Sequence, residues 1–94
     1  MQEQRTIVLY DIRDDRLRTR VSEACLDYGL ERIQYSAFQG QLSRNKRQEL
    51  FLRLRALLED SAGKILVQPV CEKDVKEAEW VENAGPEESE EGEA

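Results

Sequence analysis

The sequence predicts an α+β domain of ferredoxin-like architecture, β-α-β-β-α-β, with two amphipathic helices on one face of an antiparallel sheet. Three observations lead there. Ile7-Val8-Leu9-Tyr10-Asp11-Ile12 is an apolar, β-branched run that ends in a carboxylate, as a buried strand does at its exit from a sheet. Leu17, Val21, Ala24, Cys25 and Tyr28 recur at helical spacing, as do Leu50, Leu54, Leu57 and Leu58. Lys64 to Val70 is a second apolar run, and Pro69 near its end marks an edge or a terminus.

Taken in order, Thr6 to Asp11 is the first strand. Asp14 or Asp15 caps a helix that runs to about Tyr28, and Gly29 closes it. Ile33 to Leu42 reads as extended chain. It is too long for one flat strand in so small a domain, so a bend near Tyr35-Ser36 divides it into two short strands or a hairpin. Ser43 is the N-cap of a second helix that runs to about Asp60, with Leu50, Phe51, Leu54, Leu57 and Leu58 as its apolar stripe. Lys64 to Val70 is the fourth strand. Val75 to Val81 is a candidate fifth strand, in which Trp80 either anchors on a partner or folds back on its own core. In this architecture one face of the sheet stays uncovered in a monomer. Tyr35 or Phe38 pointing there would favour a face-to-face dimer.

At 94 residues the chain makes one small domain, and oligomerisation is an expected source of stability. Residues 1–82 form the expected domain, and residues 83–94, composed mainly of Glu, Gly, Ala, Ser and Pro, an acidic disordered tail. The net charge of −6 conceals a division. Residues 1–70 carry 12 Lys and Arg against 10 Asp and Glu, a balance of +2, whereas residues 71–94 carry 2 against 10, a balance of −8. The basic part is rich in Arg, the side chain suited to phosphate forks, so a nucleic-acid partner is compatible with the low pI. Arg-rich helices also occur for solubility alone.

No stretch approaches the roughly 18 apolar residues of a membrane span. The polar start Met1-Gln2-Glu3-Gln4-Arg5 predicts no signal peptide, and a cytoplasmic location follows as an expectation. Cys25 and Cys71 lie far apart, without metal or redox spacing. The sequence has no His, which excludes a Ser-His-Asp hydrolase and argues against a zinc enzyme. Hydrolytic chemistry here must use carboxylates with hard cations, or Arg electrostatics.

Tyr10-Asp11-Ile12, then Asp14-Asp15-Arg16-Leu17-Arg18-Thr19-Arg20-Val21, then Tyr28 to Gly40 (YGLERIQYSAFQG) together resemble the CRISPR-associated protein two family, the small partner in spacer acquisition. The resemblance covers about residues 6–70. It implies a ferredoxin-like homodimer in which Asp11 from each protomer lies near the dimer axis and shares one Mg²⁺. A lone carboxylate binds Mg²⁺ weakly; two converging by symmetry bind it better and leave water positions open for a phosphodiester. Read without the family, Asp11 is a turn or cap residue. Tyr10 matches a family site position and is a catalytic candidate, or equally a core residue. Arg18, Arg20 and Arg32 match positions linked to nucleic-acid contact; otherwise they are a solvated helix face or partners of Asp14, Asp15 or Glu31. Phe38 matches another site position, or packs.

Two functions are implied. One is a Mg²⁺-dependent endonuclease cleaving single-stranded RNA or duplex DNA. The other is a non-catalytic scaffold that bridges subunits of a larger CRISPR integrase and tracks duplex phosphates. A related toxin-type ribonuclease shares the ferredoxin-like dimer, but the long GLERIQYSAFQG match favours the CRISPR family. A ligand-sensing regulator would carry a Gly-rich loop between strand and helix, and Asp11 to Asp15 has no Gly.

Overall fold

The computed structural model describes residues 2–84. The elements are β1 (Glu3–Asp11), α1 (Asp15–Asp27), β2 (Glu31–Gln34), β3 (Ala37–Ser43), α2 (Arg44–Leu58), β4 (Lys64–Val70) and a short α3 (Glu72–Lys76). The sheet order is β2-β3-β1-β4, and each neighbouring pair is antiparallel. This is the ferredoxin-like architecture expected from the sequence.

Local chemistry sets the element ends. Asp14 caps α1, its Oδ1 accepting the Leu17 N–H at 2.9 Å. At the other end Gly29 has φ +81°, and the N–H groups of Gly29 and Leu30 return to the carbonyls of Leu26 and Cys25. That is a Schellman closure, which seats Leu30 in the core. Ser43 caps α2, its Oγ accepting the Lys46 N–H at 3.1 Å. The expected bend at Tyr35-Ser36 separates β2 from β3, and the pairing slips between Arg32 and Gln34.

Strand alternation decides which face each side chain serves. Thr6, Val8 and Tyr10 of β1 and Phe38 and Leu42 of β3 point toward the helices. There they meet Leu17, Val21, Ala24 and Cys25 of α1 and Leu50 and Leu54 of α2. A hydrogen bond from the Tyr28 hydroxyl to Glu49 at 3.1 Å and an Arg53–Asp27 ion pair at 2.9 Å join the two helices. The odd-numbered residues of β1 face the other way. Leu9 stands opposite Leu66 of β4, and they are 42% and 47% exposed. α3 lies at one end of this second face, where Glu72 and Val75 line a cleft with Arg5 and Gln41.

Three expectations are corrected. Phe38 is on the helix-covered face and fully buried, and Tyr35 sits in the β2–β3 turn, so neither forms the open sheet face; Ile7, Leu9 and Leu66 do. Phe51 does not join the buried stripe of α2 and is 42% exposed. Residues 75–81 form no strand: Val75 and Lys76 end α3, and the chain beyond is irregular, with Trp80 66% exposed. The apolar residues explain this, because Val75 and Val81 fall on opposite parity from Ala78 and Trp80 and cannot share a sheet face. Glu72 and Asp74 in the first turn and Lys76 in the last suit a helix instead. The tail expected to be disordered lies, from residue 85 on, outside the described residues. No described helix is long and apolar enough to cross a membrane.

Candidate functional site

Asp11 is the last residue of β1, directly opposite Lys64 of β4. Alternation places it on the open sheet face in line with Ile7 and Leu9. It is exposed and forms no ion pair among the described residues. Beside it, Leu9, Leu58, Lys64, Ile65 and Leu66 line a shallow apolar depression. Gly63, at φ +149°, brings the α2–β4 loop against the Asp11 backbone. A Cβ there would lie 3.1 Å from the Asp11 carbonyl oxygen and 3.0 Å from Ile12 Cγ1, so only glycine fits this approach without strain.

Tyr10, one residue earlier, points to the opposite face. It is 6% exposed, and its ring stacks on Phe38 with centroids 6.3 Å apart. Burial pushes its phenol above the ordinary tyrosine value, with the nearby Arg32 guanidinium opposing. The hydroxyl is therefore neutral near pH 7. Tyr10 and Asp11 do not share a site within one chain, because consecutive strand residues serve opposite faces.

Instead the structure joins Tyr10 to Arg18 and Arg32. With Asp15, Thr19, Ser22 and Tyr35 they line a cleft of about 300 Å³ on the helix side. Arg18 is partly sequestered there. Its Nη1 donates to the carbonyls of Ile12 and Arg13, both at 3.1 Å, and its Nη2 pairs with Asp15. Its guanidinium also lies 5.3 Å from the Tyr35 ring centroid. Arg32 bonds the Tyr35 carbonyl and covers the Phe38 ring at 4.8 Å. Arg20 stands apart. Two residues beyond Arg18, it is turned to another side of α1 and exposed, one helical turn from exposed Arg16. Tyr35 escaped the sequence reading as a member of this cleft. Its signal was an aromatic in the turn that follows the Arg-bearing β2.

No group of three or more His, Cys, Asp or Glu able to hold a metal occurs among the described residues. The donor present, one exposed carboxylate, is hard oxygen suited to Mg²⁺, which accepts one or two carboxylates and keeps its waters. Among the described residues of one chain, Asp11 would be one such ligand, and no enclosed donor set surrounds it.

Known proteins resemble this chain over most of its length. The family described as CRISPR associated protein Cas2 matches residues 4–78. A CRISPR-associated endoribonuclease Cas2 of Desulforudis audaxviator is 48% identical over 87 residues, covering 90% of this chain and 82% of that protein. One from Archaeoglobus fulgidus is 36% identical, covering 86% of each. The crystal structure of a hypothetical protein from Thermus thermophilus superposes with TM-score 0.67 at 31% identity, over 89% of this chain and 93% of that one. That of Cas2 from Streptococcus pyogenes gives 0.70 over 83% and 99%; at 19% identity it speaks for the fold alone. A family match spanning both the Asp11 strand and the Arg18–Arg32 cleft, with a relative at 48% identity over most of its length, leaves one conclusion: the chain belongs to the CRISPR associated protein Cas2 family.

Proposed function

We propose that this protein acts as a homodimer with a Mg²⁺-dependent endonuclease site, cleaving phosphodiester bonds of single-stranded RNA or duplex DNA within CRISPR adaptation. The observation that carries the reading is the position of Asp11, an exposed carboxylate at the rim of an uncovered apolar sheet face. Packing two such faces together buries Leu9 and Leu66 and draws the two carboxylates toward one axis. The relatives named endoribonucleases favour RNA as a substrate.

Within that dimer Asp11 is the metal ligand, and Arg20 and Arg32 offer guanidinium groups to backbone phosphates. Arg18 is bonded to Ile12, Arg13 and Asp15 of its own chain. Tyr10, neutral and packed on Phe38, supports the cleft wall and carries no proton to or from the reacting atoms. When bound, Mg²⁺ would supply an activated water and offset the charge that develops on the phosphodiester. Lys64, cross-strand to Asp11, adds a cation at the same rim.

The test compares cleavage of single-stranded RNA and duplex DNA with Mg²⁺ by wild type and Asp11→Ala, with sedimentation to establish that both are equally dimeric. Loss of cleavage in a folded, dimeric variant supports the site. Equal cleavage by both proteins refutes it.

A second reading is favoured by one observation: Arg13, Arg16 and Arg20 stand exposed at or along α1. In that reading the dimer is a scaffold that bridges subunits of the larger integrase and follows duplex phosphates without reading sequence. A wild-type dimer inert toward both substrates, with salt-dependent duplex binding, selects it.

A further inference from the structure

We infer that Arg18 is a positioning residue for Asp11, fixing the exit of β1 so that the carboxylate is held in one place; this rests on the metallonuclease reading of Asp11. The sequence position of Arg18 suggests a phosphate contact. Its hydrogen bonds assign most of it elsewhere.

Ile12 and Arg13 are the first two residues after Asp11, and both lie between β1 and α1. Their carbonyls have no strand partner, since the ladder with β4 ends at Asp11. Arg18 reaches back from the first turn of α1 and satisfies both with one nitrogen, at 3.1 Å each. Its second nitrogen pairs with Asp15, which fixes the guanidinium plane. The side chain is only 23% exposed, as a structural tie would be, while its partner Asp15 is 88% exposed. The Tyr35 ring closes over the guanidinium from the β2–β3 turn. The α2–β4 loop approaches closely as well: Gly63 leaves no room for a Cβ beside the Asp11 carbonyl and Ile12. Ile12 thus has a cation bonded to its carbonyl and a close backbone approach at its side chain, and Arg13 is held by the cation.

Lys cannot replace this tie. It has the charge but no planar fork, so it cannot bond two carbonyls with one nitrogen while pairing Asp15 with another in the same plane. A partner that orients a metal ligand contributes by reducing the ligand's freedom, and its loss typically costs about 10- to 100-fold in metal affinity or activity.

The experiment uses full-length protein and Mn²⁺ as a spectroscopic probe, in wild type, Arg18→Lys, Arg18→Gln and Asp11→Asn. Amide hydrogen exchange at residues 12–15 and Mn²⁺ affinity by electron paramagnetic resonance are read beside RNA cleavage. The expected result in both Arg18 variants is faster exchange at residues 12–15, Mn²⁺ affinity weakened by about tenfold or more, and kcat reduced with KM for RNA within about twofold of wild type. The salt slope of RNA binding stays unchanged, because no phosphate contact is lost. Raised KM, a shallower salt slope and unaltered Mn²⁺ affinity would make Arg18 a phosphate ligand and overturn the inference. So would unchanged exchange at residues 12–15. Failure of the underlying reading looks different: Asp11→Asn then keeps both Mn²⁺ binding and cleavage.

Discussion

Phe38 separates a residue that touches substrate from one that holds the site together. Its ring is fully buried, stacked on Tyr10 at 6.3 Å and covered by Arg32 at 4.8 Å. Val8 is its cross-strand partner on β1, and Arg32 its partner on β2. Phe38→Ala therefore removes the central contact between three strands and leaves a cavity under α1 and α2. Such truncations cost about 3–5 kcal/mol, which is a large share of the roughly 5–15 kcal/mol that holds a small domain. For a chain of this size the melting temperature should fall by at least about 12 °C, at about 4–8 °C per kcal/mol. Phe38→Leu fills most of the volume and should cost about half as much or less. The assay is urea and thermal unfolding at one fixed protein concentration, since a dimer's midpoint depends on concentration. Cleavage is then measured well below the lower midpoint. Activity per folded molecule should survive in Phe38→Leu. A Phe38→Ala protein with an unaltered midpoint and abolished cleavage would refute the reasoning and make the ring a substrate contact.

Three further outcomes follow from the structure. Leu9→Asp places a charge on the open sheet face opposite Leu66; it should shift sedimentation from dimer to monomer and abolish cleavage while leaving the circular dichroism of the fold, and a variant that stays dimeric would exclude this face as the interface. Gly40→Ala puts a Cβ 2.6 Å from Leu30 Cδ2 and 3.2 Å from Leu30 Cα; it should destabilise by about 1–2 kcal/mol in urea unfolding, overpacking outweighing the gain from removing a strand glycine. Burial pushes the Cys25 thiol up from 9.0 to about 11, with Arg32 and Arg53 opposing. The folded state then holds that proton more tightly than the unfolded chain. Its contribution is full below pH 9 and is lost as pH rises from about 9 to about 11. Cys25→Ala should flatten that part of the urea-midpoint profile, and a thiol reagent near pH 8 should label exposed Cys71 and spare Cys25 until urea is added.

Chain periodicity was enough to read the order of elements and most of their ends. Helical spacing of Leu17, Val21, Ala24 and Cys25 and of Leu50 and Leu54 reports burial directly, because each helix buries one stripe. Asp14, Ser43 and Gly29 mark the helix ends through local hydrogen bonds that need no distant partner. Asp11 was legible as the carboxylate at a strand exit for the same reason. The membership of the cleft was not. Arg18, Arg32, Tyr10 and Tyr35 come from four separate segments, and only the packing of α1 beside the β2–β3 turn brings them together. Nor could sequence tell that Arg18 spends three donors on its own chain, since the carbonyls of Ile12 and Arg13 become its partners only when the β1–α1 loop folds back. The residues 75–81 show the converse error, where an apolar count without a common parity suggested a strand that the backbone does not form. Local periods and caps are thus written into this chain residue by residue. Which guanidinium meets which carbonyl, and which face of the sheet is left for a second copy, was decided by tertiary packing, because those contacts join residues whose separation in sequence carries no periodic signal.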